Sequence, residues 1–323
     1  MKFNPQVKKK IKFLIHFFLS RNFYLINSPL QYINLVEFLN HKDQLFEKKI
    51  ILVGYTSLYA KNQIKNLNSN IYFVNLNLFY LDEIFSVKIF HFIFGIQKTL
   101  KRKYLSVLCG DFKYYLFKEF CKKSSAVDLI DDGYSSISFI NNDNNKMLNY
   151  KLFTVFDIAK NGFKIERNSH YYLKNMISIK KKKDNDLIFL LGTGIFQHER
   201  RVNEFESLLK NFSEKNIDKK IIYFPHRSEN INFIKNIGIK NLEIQKTNEP
   251  IETFVLRHEV LPHFIAGFYS AALYNLRKLL SDYDIEIINI NFALSKFYFE
   301  KHEEDMINDF LPYIKSAEIK DFY

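Results

Sequence analysis

Short, almost uninterrupted apolar runs recur along this chain, and the stretches between them carry helical periodicity. Runs at 23–26, 50–53, 71–74, 105–108 and 127–130 lack the in–out alternation of a half-solvated strand. Strands of that kind are covered on both faces, the signature of a parallel sheet sandwiched by helices. Between the first two runs, Tyr32, Leu35, Val36 and Leu39 share one helical face behind Pro29, which suits the first turn of a helix. After a polar loop at 141–146 and a charged run at 180–186, the theme repeats at 187–191, 221–224, 242–244, 260–264 and 285–290. Strand–helix alternation of this type predicts parallel sheets with right-handed crossovers.

At 323 residues the chain is long enough to bury two cores. We place the domain boundary at the charged run, with one Rossmann-like domain over 1–180 and a second over 187–323, whose last helix, at about 303–316, is positioned to cross back. Two such α/β domains with parallel sheets facing a central cleft correspond to the GT-B fold. The formal net charge of +12 directs the protein toward anionic partners. No zinc-finger spacing or RNA-binding aromatic motif accompanies the lysine runs, which argues against nucleic acid. Residues 8–20 are basic and then apolar, too short to span a bilayer, and are followed by Arg21 rather than a small-residue cleavage site. They read as an amphipathic helix that can rest on an anionic membrane, so the expected location is cytoplasmic with peripheral contact to the inner membrane. Cys109 and Cys121 are too few for a disulfide framework or a zinc site and lie among apolar neighbours.

Ligands of parallel sheets bind at the carboxyl ends of the strands, so the residues just after each apolar run are the candidates. Asp131-Asp132-Gly133 follows the run ending at residue 130. Either carboxylate can take a proton from a hydroxyl, with mutual repulsion raising one pKa, or the segment is an ordinary turn and helix cap. Pro225-His226-Arg227 follows the run ending at 224, and its imidazolium and guanidinium suit a leaving phosphate. Ser270, with Ala271 behind it, opens a helix whose free N–H groups favour a phosphate. Gly192-Thr193-Gly194 permits close backbone approach, His198 and Glu199 lie just beyond it, and Glu252 can accept from ribose hydroxyls or start a helix.

The order of these motifs is more informative than any one of them. Asn27-Ser28-Pro29-Leu30-Gln31-Tyr32, Tyr223-Phe224-Pro225-His226-Arg227 and Gly267-Phe268-Tyr269-Ser270-Ala271-Ala272-Leu273 resemble glycosyltransferase family 52, the bacterial lipooligosaccharide sialyltransferases. The resemblance implies a GT-B-like, inverting, metal-independent enzyme with no cofactor. It would move sialic acid from CMP-sialic acid to a galactose-terminated glycan acceptor, and similar enzymes are homodimers. It assigns the carboxylate motif to Asp131 or Asp132, the phosphate-facing histidine to His226, and the first of two phosphate-binding serines to Ser270. Ala271 stands where the family has the second serine, leaving only backbone contacts there. The family's base alternatively lies after the second domain's first strand, which makes Glu199 a candidate. Asp184-Asn185-Asp186 is rejected as a metal motif, because it precedes its strand. The competing expectations are a related transferase using another nucleotide sugar and a non-catalytic surface-polysaccharide or membrane-binding protein on the same fold.

Overall fold

The structure is a computed structural model that describes residues 5–20, 22–45, 49, 51–54, 56–72, 74, 76–84, 95, 104–110, 115–142, 150–158, 164–176, 180–194, 201–291, 301–316 and 319–322. The chain divides into two compact units, Met1–Asn168 and Ser169–Tyr323. The division falls before the charged run at which the sequence suggested a boundary. That run is not a linker: Lys182–Leu191 is a single strand. Its charged first half is exposed and its apolar second half is buried. Strand pairing needs only backbone groups, so charges are tolerated where the strand extends beyond its core.

In the first unit, seven strands form one wholly parallel sheet: β1 (Asn22–Ile26), β2 (Ile51–Val53), β3 (Leu78–Tyr80), β4 (Tyr104–Cys109), β5 (Ser124–Ile130), β6 (Tyr150–Thr154) and β7 (Lys164–Arg167). Their order is β3-β2-β1-β4-β5-β6-β7, which reverses direction between β1 and β4. Of the run at 71–74, the described residues 71, 72 and 74 are not in a strand. Ile71 closes a π-helical turn, Leu67–Ile71, and the edge strand lies further on. A short apolar run cannot by itself be told from a buried helical segment. Here the choice is made by Asn68, which accepts from the Tyr32 hydroxyl (2.8 Å) and from Leu76 N (2.7 Å) and ties the turn to the chain behind it.

The helix Pro5–Leu19 is built into this unit. Phe13 and Phe17 are fully buried and stack on each other at 5.3 Å, and Phe17 also meets the rings of Phe23 and Phe120. Cys109 and Cys121 are buried in the same core. The next helix, Pro29–His41, starts where expected, with Pro29 in its first turn and the Ser28 Oγ accepting from Gln31 N at 3.2 Å.

The second unit has six parallel strands: β8 (Lys182–Leu191), β9 (Lys220–Phe224), β10 (Leu242–Ile244), β11 (Val260–Gly267), β12 (Glu286–Ile290) and β13 (Lys320–Phe322). The order β10-β9-β8-β11-β12-β13 is the doubly wound arrangement of dinucleotide-binding folds, with its reversal between β8 and β11. The last helix, Lys301–Ser316, belongs to this unit and leads into β13. Core strands such as β8 and β12 end on fully or nearly fully buried residues, including Ile188, Phe189, Leu190 and Ile290.

Candidate functional site

Register decides which loops of the second sheet share a site. Leu191 pairs with Phe224 on one side and with Gly267 on the other. The three strands run parallel, so their following loops leave the same edge at the same level. With neighbouring strands about 4.8 Å apart, the backbones of Phe224 and Gly267 lie roughly 10 Å from each other across Leu191. Gly192-Thr193-Gly194, Pro225-His226-Arg227 and the Ser270 helix start are thereby brought to the sheet's reversal point, where parallel sheets bind ligands. His198 and Glu199 lie outside the described residues.

A carboxylate that the motif reading passed over organises this edge. Glu229 receives hydrogen bonds from the Tyr223 hydroxyl (2.7 Å), from His226 N (2.6 Å) and from Thr193 N (3.3 Å). It thus joins the loop after β8 to the loop after β9. Burial pushes its carboxyl up to about 7, against the opposing pull of those three donors. Tyr223, also buried, has its hydroxyl pushed well above the usual phenol value by desolvation and by the adjacent Glu229. Gly192 is required by this packing. A Cβ there would stand 2.0 Å from the Glu229 Oε2, 2.7 Å from the Tyr223 Oη and 2.8 Å from the His226 backbone nitrogen. One sequence signal was available: Glu229 follows His226 by three residues, the spacing of a turn, which the Glu229 N to His226 O bond of 2.9 Å closes.

His226 differs from the imidazolium expected from the sequence. Desolvation and then the charge of Arg227 push the imidazole down to about 4. The residue keeps substantial solvent access, which moderates the desolvation, but the ring is neutral near pH 7 in either case. Its Nδ1 lies 2.5 Å from the Ser228 Oγ and accepts from Ser228 N at 3.4 Å. An Nδ1 that accepts a backbone N–H places the ring proton on Nε2, the nitrogen left to donate to a ligand.

Ser270 caps the helix Ala271–Leu279, its Oγ accepting from Ala272 N at 3.3 Å. Ala271 is the first residue of that helix. Just before it, Tyr269 holds a left-handed φ of 45°, stabilised by the Asn289 Oδ1, which accepts from Tyr269 N at 2.8 Å. Pro250 and Glu252 start another helix, Ile251–Arg257. Glu252 is buried, with its carboxyl raised by desolvation, and accepts from the Asn275 Nδ2 at 3.0 Å. In this arrangement it pins the helix that follows Ser270. Asp184 and Asp186 lie at the opposite, amino-terminal end of β8, where Asp186 pairs with Lys219 at 3.2 Å.

In the first unit the two aspartates separate in role. Asp131 is fully buried, and its Oδ2 accepts from the Thr154 hydroxyl (2.7 Å) and from Val155 N (3.2 Å). Its carboxyl is pushed up to about 6 by burial, not by repulsion from its neighbour as the sequence suggested. Asn34 donates to its backbone carbonyl at 2.9 Å, and Asn168 donates to Asn34 at 2.9 Å, which completes a buried polar network. A carboxylate so placed holds strand ends together. Asp132 is half-buried and receives the Ser28 hydroxyl at 3.3 Å, so of the pair it is the one able to meet a substrate. Gly133, at φ 60°, makes the turn that follows them.

No family model matches this chain, and no curated protein does. Among solved structures, it is similar to the UDP-GlcNAc 2-epimerase from Neisseria meningitidis bound to UDP-GlcNAc, with a TM-score of 0.56 and 11% identity over 92% of each chain. It is also similar to a putative UDP-N-acetylglucosamine 2-epimerase from Listeria monocytogenes, with a TM-score of 0.51 and 12% identity over 93% of this chain and 90% of the other. The likeness runs through both units, and the fold is of the GT-B type: two parallel-sheet α/β domains in one chain.

Proposed function

We propose that this chain is a glycosyltransferase whose carboxyl-terminal unit holds a nucleotide-sugar donor. The observation that carries this reading is the in-register exit of three loops at Leu191, Phe224 and Gly267, at the reversal point of a doubly wound sheet. Those loops offer a glycine with no room for a side chain, a neutral imidazole whose proton is on Nε2, a guanidinium and a capped helix start. These are groups that recognise a phosphate. The fold-level neighbour with UDP-GlcNAc bound agrees with the donor class. The resemblance to family 52 specifies the donor as CMP-sialic acid and the acceptor as a galactose-terminated lipooligosaccharide.

In this reading a carboxylate takes the proton of the acceptor hydroxyl, whose oxygen attacks the anomeric carbon from the face opposite the nucleotide. The bond from that carbon to the phosphate oxygen breaks, and the electron pair leaves with CMP. Asp132 is the candidate base among the described residues. His226 donates through Nε2 to the departing phosphate, Arg227 supplies fixed positive charge, and the Ser270 helix start supplies backbone polarity. Glu229 sets the distance between the Thr193 and His226 backbones and is a positioning residue. A phosphate arriving beside His226 and Glu229 raises the pKa of both, so donor binding takes up protons near pH 7.

The test is ligand-dependent melting followed by turnover. CMP should raise the melting temperature while UDP and GDP do not, and CMP-sialic acid with a galactoside acceptor should release CMP. Stabilisation by UDP with CMP inert would replace the sialyl reading with a second one, a transferase or epimerase acting on a UDP-linked sugar, which the fold-level neighbours favour. Binding of CMP without any turnover would leave a non-catalytic binding protein.

A further inference from the structure

Four of the eight large apolar side chains exposed among the described residues sit on one helix, Pro5–Leu19. They are Val7 (40%), Ile11 (43%), Ile15 (52%) and Leu19 (73%), spaced four apart so that they wind along one side. The opposite side carries Phe13 and Phe17, fully buried against Phe23, Phe79 and Phe120. The helix is therefore anchored in the core of its unit with a fixed outward face. Lys8, Lys10 and Lys12 are exposed beside the apolar residues, and the helix contains no acidic residue.

We propose that this outward face docks the protein on an anionic lipid bilayer, lying in the interfacial plane with Ile11, Ile15 and Leu19 among the acyl chains and the lysines at the headgroups. An apolar stripe flanked by lysines without a single carboxylate is the composition of an interfacial helix. At 15 residues it is about 22 Å long, short of a bilayer's roughly 30 Å hydrocarbon core, so it lies on the membrane rather than across it. No helix among the described residues is long and apolar enough to cross a membrane. A second copy of the chain is the less suitable occupant. A two-fold contact through this face would bring two lysine-rich helices together with no carboxylate of their own to neutralise them. The proposal is independent of which sugar donor the protein uses.

The experiment is vesicle flotation of the full chain with phosphatidylcholine alone and with about 30% phosphatidylglycerol added. Binding is expected only, or at least about tenfold more tightly, with the anionic vesicles, and it should weaken as salt is raised. The triple variant Lys8→Gln, Lys10→Gln, Lys12→Gln should weaken it by roughly 10²-fold, since each lysine near a charged surface contributes a factor of several. The double variant Ile11→Gln, Ile15→Gln should weaken it by at least about tenfold. Melting curves check that both variants fold, and if the double variant does not, the lysine variant decides alone. Absence of binding to anionic vesicles overturns the proposal, as does binding that folded variants leave unchanged. So does a solution dimer that the isoleucine changes split while vesicle binding stays the same, which would make this face a protein interface.

Discussion

Asp131 and Glu229 are both desolvated carboxylates near the carboxyl edge of a parallel sheet, and both have raised pKa values, yet they join different things. The Asp131 side chain is bonded to Thr154 and Val155, at and just past the end of β6, so it fastens regular structure. Glu229 is bonded to Thr193 N and His226 N, both in loops that follow strands, so it fastens the walls of the candidate site. A raised pKa thus says that a group is buried. Only its partners say whether it serves the fold or the ligand.

The widest separation should appear in turnover. His226→Ala is expected to lower kcat by roughly 10²–10³-fold, the scale of losing one donor to a charge that develops in the transition state. A rate unchanged in steady-state assays would remove His226 from the chemistry and leave the second unit with no special edge. Next in size is Gly192→Ala, which forces a Cβ against the His226 backbone as well as two side chains. It should cost about 3 kcal/mol in urea unfolding and abolish measurable nucleotide binding. At Gly267 the closest atoms to an added Cβ are 3.2 Å and 3.4 Å away, so Gly267→Ala should cost about 1 kcal/mol.

A smaller and more pointed contrast is in affinity. Glu229→Gln should weaken CMP binding about tenfold in calorimetry, because an amide cannot accept from all three donors at once. Asp131→Asn should leave CMP affinity within about twofold. Equal effects would erase the distinction between the two carboxylates. The last contrast is in the pH dependence of stability. For Asp131, raised from 3.8 to about 6, and Glu229, raised from 4.5 to about 7, the folded state keeps a proton that the unfolded chain has already lost. Each therefore lowers stability as pH rises through that interval, by on the order of 2–3 kcal/mol. Urea melts from pH 4 to 8 should show Asp131→Asn flattening the lower part of the slope and Glu229→Gln the upper part.

Much of the fold was legible because buried parallel strands are continuously apolar. Nine of the ten runs singled out in the sequence coincide with strands. At the exception, 71–74, Ile71 closes a π-helical turn held by Asn68, whose partners lie elsewhere in the chain. The strands β3, β6, β7 and β13 were not read. β7, at a sheet edge, has one apolar residue among three charged ones, and β13 is three residues long. The domain boundary was placed at the charged start of β8 for the same reason: outside the core, side chains no longer report the backbone's pairing.

Among the candidate residues, the sequence located the loops and the structure sorted their members. Asp131 and Asp132 are neighbours with equal chemistry, and no local pattern tells which is buried. The difference comes from Thr154, 23 residues on, and Ser28, 104 residues back. Glu252 has its partner at Asn275.

By itself the sequence determined two α/β units with all-parallel sheets, since hydrophobic burial follows local periodicity. It also placed His226, Arg227 and Ser270 just beyond strands. Only the tertiary structure decided that Leu191 lies between Phe224 and Gly267, that Glu229 binds two loops together, and which carboxylates keep their protons. Register and pKa depend on what surrounds a group in space, and those surroundings come from residues far apart along the chain.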